Sequence, residues 1–209
     1  MALTVRSAAG AVAAFTALAA VASRAEAGGL LTRADRAAYE KVRMSRREPG
    51  VVAAHLVSAL AEPAVIYPLV VLAGLAPAGQ ARWRRAGTAC VLVAGGAMTR
   101  RRLSGLIARP RPPAEAWLIT PEGFSLPSKH TAIAALAAGA CTRSLGRNHG
   151  PARAAPLLAA AAVGTSRVYL GVHWPADVLA GWLFAEGWLR LAGPVTGLGR
   201  EPYGPASGR

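Results

Sequence analysis

The sequence predicts an all-α fold, a polytopic membrane bundle of about six transmembrane helices. Three observations carry that expectation. Six apolar blocks recur along the 209 residues, at about 8–23, 51–77, 86–99, 129–142, 155–172 and 175–193. Hydrophobic residues make up 53% of the chain, above the roughly 45–50% usual in a soluble domain. Residues 155–163, "APLLAAAAV", offer no polar face at the 3.6-residue period that a solvated helix needs.

The first block, "AAGAVAAFTALAAVAS", follows Arg6 and precedes "AEA" and Gly28. Residues 1–27 therefore read as a first span, or as a secretory signal with its cleavage site. Residues 28–50 mix charges with apolar positions at helical spacing: Leu30, Leu31, Ala34, Ala38 and Val42. That is the pattern of an interfacial amphipathic helix on anionic headgroups, although a solvated loop has a similar composition. The remaining five blocks place a helical core over 51–193, and the Gly/Pro-rich residues 194–209 read as a flexible tail. Several blocks are shorter than the ~20 residues that cross a ~30 Å hydrocarbon layer. Arginines in the flanking turns can snorkel and extend them.

Net charge is +14, from 24 Lys+Arg against 10 Asp+Glu. Such an excess points to a polyanionic partner. No aromatic-interleaved basic stripe or nucleic-acid motif is present, which excludes nucleic acid and leaves anionic lipid headgroups or a phosphorylated substrate. Cys90 and Cys141 lie in apolar stretches without metal-ligand spacing and read as buried free thiols.

Three polar clusters interrupt the apolar pattern. In "RRRLSGLIARPRPP", residues 100–113, Arg102 and Arg109 stand seven apart, two helical turns, and share a face if the helix continues to Pro110. Snorkelling accounts for Arg100, Arg101 and Arg111. In "FSLPSKHTAIAALAAGA", residues 124–140, Ser128 is placed to cap a helix that starts with Lys129 and His130. Cations at a helix N-terminus oppose its dipole unless an anion sits there. In "SRVYLGVHWPAD", residues 166–177, His173 precedes a helix whose first turn holds Asp177. A carboxylate there can fix the imidazole tautomer and leave the other nitrogen free to attack.

These clusters resemble the three signature motifs of the type 2 phosphatidic acid phosphatase (PAP2) superfamily, KxxxxxxRP, PSGH and SRxxxxxHxxxD. The third matches at every fixed position, over Ser166, Arg167, His173 and Asp177. The first has Arg102 for the lysine, with Arg109 and Pro110 following; the second has Lys129 for the glycine.

The resemblance implies a PAP2/haloperoxidase-like helical core and a phosphoric monoester or diphosphate hydrolase acting on a lipid phosphate. Polyprenyl (di)phosphate, a phosphorylated polyprenyl sugar and phosphatidic acid are the substrates it suggests. It implies that His173 is the nucleophile that becomes phosphohistidine, that Asp177 orients it, and that His130 protonates the leaving group and then activates water. Arg102, Arg109, Ser128, Lys129 and Arg167 would hold the phosphoryl oxygens, with no metal and no cofactor.

The expected location is the cell membrane, multi-pass, with the active site on the extracytoplasmic face. The distribution of Lys and Arg between loops does not assign that orientation. Haloperoxidases and soluble acid phosphatases share the motif chemistry but would lack the apolar blocks. A non-catalytic lipid-phosphate binder would tolerate loss of His173. In the last block, Glu186 reads as the partner of a nearby arginine.

Overall fold

The computed structural model describes residues 2–26, 28–76, 80–144 and 150–196. Among them the chain forms eight α-helices and one short 3-10 turn. The helices are α1 (Ala2–Glu26), α2 (Leu30–Met44), α3 (Glu48–Ala59), α4 (Pro63–Leu75), α5 (Arg82–Ile107), α6 (Lys129–Ser144), α7 (Gly150–Tyr169) and α8 (Pro175–Thr196). The 3-10 turn is Ala114–Ala116. Most of the tail, from residue 197, lies outside the described residues, as does His149.

The central helix is α6, with α4, α5, α7 and α8 packed around it and α1 lying along α8. Its residues 131–140 are all buried, and six of these ten are alanine. Small side chains bring the neighbouring backbones close. A Cβ on Gly181 would stand 2.9 Å from Thr131 Cβ and 3.2 Å from the Ala132 amide nitrogen. Leu92, Leu136, Phe184 and Leu189 fill the core between the helices, while other bulky apolar residues face outward: Val12, Leu69, Leu72, Val91, Leu158 and Leu191 are all exposed. An alanine-rich central helix with leucines on the outer faces suits helices that associate by close packing.

Two expectations change in the structure. The second apolar block is not one helix but two, α3 and α4, bent by 57° at the break. Pro63 opens α4, where its missing N–H costs nothing. The face that α2 turns inward is centred on Asp35 and Tyr39, both buried, while Leu30 is exposed. Asp35 and Tyr39 dock this segment on the protein, and Leu31 packs against the apolar core. By length and composition, one helix among the described residues, over Arg6–Ala25, is long and apolar enough to cross a membrane unaided, and the bent pair would make a second. The other core helices miss that threshold because alanine carries modest hydropathy, α5 bears arginines at both ends, and α6 has 16 residues.

Cys90 and Cys141 are free thiols, each half-buried. Glu186 pairs with Arg190 one turn on.

Candidate active site

The three polar clusters meet at one end of the bundle, joined through the backbone. The Ser125 amide donates to the Arg109 carbonyl at 2.9 Å, and the Ser128 amide donates to the Asp177 carbonyl at 3.0 Å. Helix α7 ends in a Schellman turn: the Val172 amide donates to the Arg167 carbonyl and the Gly171 amide to that of Val168. Gly171 has φ +85°, and a Cβ there would lie 2.3 Å from the Ala116 carbonyl oxygen. Only glycine fits both conditions. The turn sets Arg167 in the last helical turn and His173 just beyond it.

His173 is 1% exposed. Its Nδ1 lies 3.3 Å from Asp177 Oδ2. That oxygen also accepts from the Trp174 amide at 2.8 Å and from the Ser125 hydroxyl. Asp177 Oδ1 accepts from Arg109 Nη1 at 2.5 Å. With Nδ1 facing a carboxylate held by several donors, the proton belongs on Nδ1 and the lone pair on Nε2. Burial lowers the His173 pKa from 6.5 to about 4, against the hydrogen bond to Asp177, which raises it. The imidazole is therefore neutral at pH 7.

His173 lines a cavity of about 380 Å³ together with Arg111, Lys129, His130 and Arg167, and His55, Ser58 and Glu62 line it too. His130 and His173 thus share one cavity. His130 Nε2 pairs with Glu62 Oε1 at 2.9 Å. Arg167 is buried and donates from Nη1 to Ser58 Oγ at 2.5 Å, while its Nε has no partner in the protein. Such an orphaned donor beside a cavity is a seat for an anion oxygen.

Arg111, which the sequence alone assigns to snorkelling, is in contact with His173. Its Nη1 lies 3.2 Å from His173 Nε2 and also donates to the Val172 carbonyl at 2.7 Å. Nε donates to the Gly123 carbonyl, and Nη2 to those of Glu122 and Phe124. All five guanidinium N–H groups are thereby engaged. Four go to backbone carbonyls that fix the plane; the fifth meets the Nε2 lone pair of His173. Burial pushes the Arg111 pKa down, and the Asp177 carboxylate resists.

The other expected phosphate ligands are placed differently. Helix α5 stops at Ile107, with Ala108 left-handed at φ 53°, so Arg102 and Arg109 do not share a helical face. Arg102 is exposed and stands outside the cavity. Arg109 is buried between two carboxylates, donating to Asp177 and, through Nη2, to Asp35 Oδ2 at 2.7 Å. Ser128 is fully buried, and its hydroxyl accepts from Thr131 Oγ1 at 3.0 Å. The reason for the shift is visible in the sequence: it holds two Arg-Pro pairs, at 109–110 and 111–112, and the structure turns the second toward the cavity. Seven residues before Arg111 stands Ser104, buried with no partner for its hydroxyl. One turn earlier, Arg100 is buried and donates to the Pro127 carbonyl at 2.8 Å.

Asp35, Glu62, Arg111 and Ser125 are the site residues that the motifs do not name. Asp35 Oδ1 accepts from the Ala176 amide at 2.7 Å, so α2 is pinned to the start of α8. The signal that could have found Glu62 is the polar stripe His55, Ser58, Glu62 on an otherwise apolar stretch.

A family model described as the PAP2 superfamily matches residues 85–195, more than half the chain. The chain belongs to the PAP2 superfamily. The transmembrane PAP2-type phosphatidylglycerolphosphate phosphatase of Bacillus subtilis superposes with a TM-score of 0.78 at 23% identity, over 92% of this chain and 99% of that one. Aquifex aeolicus LpxE gives 0.57, also at 23% identity, over 73% and 92%. Both likenesses bear on the PAP2 fold. An undecaprenyl-diphosphatase of Sulfolobus acidocaldarius is 57% identical over 30 residues, which span 14% of this chain and 15% of that protein's length.

Proposed function

We propose that the protein is a membrane-embedded, metal-independent lipid-phosphate phosphatase working through a phosphohistidine on His173. The observation that carries this reading is the paired arrangement of His173. Its Nδ1 is held at 3.3 Å from Asp177, and the residue lines a cavity shared with His130.

His173 Nε2 attacks phosphorus, and the bond from phosphorus to the leaving-group oxygen breaks. His130 supplies the proton that this oxygen takes up. In the second step His130 removes a proton from water, whose oxygen attacks the phosphohistidine and releases inorganic phosphate and the free imidazole. Arg111 and Arg167 hold the equatorial oxygens, and Lys129 adds a cation at the cavity wall. Arg111 Nη1 exchanges His173 Nε2 for a phosphate oxygen as substrate binds, which uncovers the nucleophile at that moment. Arg109 and Asp35 act behind the site, holding Asp177.

The exposed Leu and Val residues of the outer faces support membrane embedding, with the site at the bundle end where a headgroup arrives from the bilayer plane. Helix α1 is a retained span in this reading, since Phe15 packs edge-on to Phe184 at 6.3 Å between ring centres. Polyprenyl phosphates and diphosphates are the first candidate substrates, and the short likeness to a diphosphatase supports that order. In this reading the site lies on the extracytoplasmic face of the cell membrane, as the family resemblance implies.

The test is phosphate release by purified protein in detergent with EDTA present, across polyprenyl diphosphate, phosphatidic acid and phosphatidylglycerol phosphate. Turnover by the parent and none by His173→Ala is the expected result. Release by the variant at the parental rate would refute the reading.

A further inference from the structure

Glu62 stands at the N-cap of α4, a position that favours short side chains able to bond the helix's own amides. Its side chain makes no such bond. The carboxylate instead crosses to α6, where Oε1 meets His130 Nε2 at 2.9 Å. The 57° bend between α3 and α4 aims it there, and Pro63 holds the break. The His130 side chain is 12% exposed and the Glu62 side chain 51%. A carboxylate in contact with water thus touches an imidazole that is almost shut off from it.

From this geometry we infer that Glu62 is the positioning residue of the general acid: it orients His130, balances its imidazolium charge and passes it protons from solvent. The inference rests on the phosphohistidine reading above and deepens it.

A general acid must carry a proton when the leaving group departs. In this cavity the neighbours of His130 include Lys129, Arg111 and Arg167, all cations, which disfavour an imidazolium. Glu62 is the carboxylate that contacts His130, whereas Glu122, also at the wall, gives its backbone carbonyl to Arg111. An adjacent negative charge opposes those cations at the moment His130 carries the proton it donates. Proton balance over a turnover is closed: the proton given to the leaving group in the first step is regained from water in the second. Glu62 exchanges with bulk solvent any proton lost between the two.

The test separates a proton-handling role from a structural one through the leaving group. Dioctanoyl phosphatidic acid leaves as an alkoxide that needs protonation, whereas p-nitrophenyl phosphate leaves as a stable phenolate that does not. Glu62→Gln keeps the shape and an acceptor oxygen but removes the charge. It is expected to lower the single-turnover rate of phosphoenzyme formation from the lipid by roughly 10- to 100-fold, part of what general-acid catalysis contributes, and to leave the burst of p-nitrophenolate, which precedes the water step, within about twofold. Aryl turnover also reports that the variant is folded. In a His130→Ala background, Glu62→Gln should cost nothing further on the lipid.

Equal losses on both substrates, no loss on either, or an added loss in the His130→Ala background would each overturn the inference. Those results leave the phosphohistidine reading standing if His173→Ala is inactive. An active His173→Ala fails that reading instead.

Discussion

The two imidazoles face one cavity but are held in opposite ways. His173 is sealed in a buried chain that runs through Asp177 and Arg109 to Asp35, with Ser125 and the Trp174 amide filling the remaining contacts. His130 has one carboxylate partner, and that partner is half in water. Under the proposed mechanism the contrast matches what each job requires. A nucleophile must present one lone pair along one line, so every neighbour is fixed. An acid–base group must gain and lose protons in each cycle, so a path to solvent has to remain.

The largest effect that would sharpen this comparison is on the nucleophile itself. His173→Ala should abolish detectable lipid phosphate release, a loss of roughly 10³-fold or more, and with it any acid-labile phosphoenzyme trapped by rapid quench. Asp177→Asn comes next, because an amide leaves the wrong imidazole tautomer favoured. A fall of about 10³-fold in kcat with little change in KM is expected. If Asp177→Asn proves harmless, the sealed side is not where precision matters.

Asp35→Asn tests the far end of the chain. Arg109 would keep Asp177 but lose one charge-assisted bond, at about 2 kcal/mol, measured as a lower thermal midpoint in detergent. A drop of roughly tenfold in kcat should accompany it. Lys129→Gly, which restores the family's residue on the open side, is expected to have the smallest consequence. A change of about threefold in KM with kcat preserved fits a cation at the cavity wall.

Titration gives a further separation of the two sides. Because burial holds His173 near pKa 4, its imidazole stays neutral from pH 8 down to about 5, and histidine carbon resonances in labelled protein should show that. The unfolded chain takes up a proton near pH 6.5 that the folded site refuses. This residue therefore makes stability fall as pH drops from about 6.5 toward 4, visible as a declining thermal midpoint. A His173 resonance that titrated near 6.5 would contradict the sealed environment.

How much of this was legible in the sequence follows from how far apart the partners are. The third motif is local: a helix end, a glycine turn and a carboxylate one turn on, so spacing alone placed His173 against Asp177. The helical nature of every block was equally local. The first motif misled because a seven-residue spacing implies a shared face only while the helix lasts. Ala108 ends it early, which turns Arg109 toward carboxylates and Arg111 toward the cavity. Asp35 and Glu62 reach their partners across 74 and 68 residues, contacts that no local pattern encodes. The bend that aims Glu62 falls at Glu62–Pro63, a local break signal that the long apolar runs on either side masked.

Arg111 keeps its last free donor on the imidazole it will later expose. In the proposed cycle an oxyanion can meet the open Arg167 Nε first but must displace this contact to reach Arg111, and the contact re-forms as free phosphate leaves. Such an internal competitor weakens the product inhibition that an open cluster of cations invites.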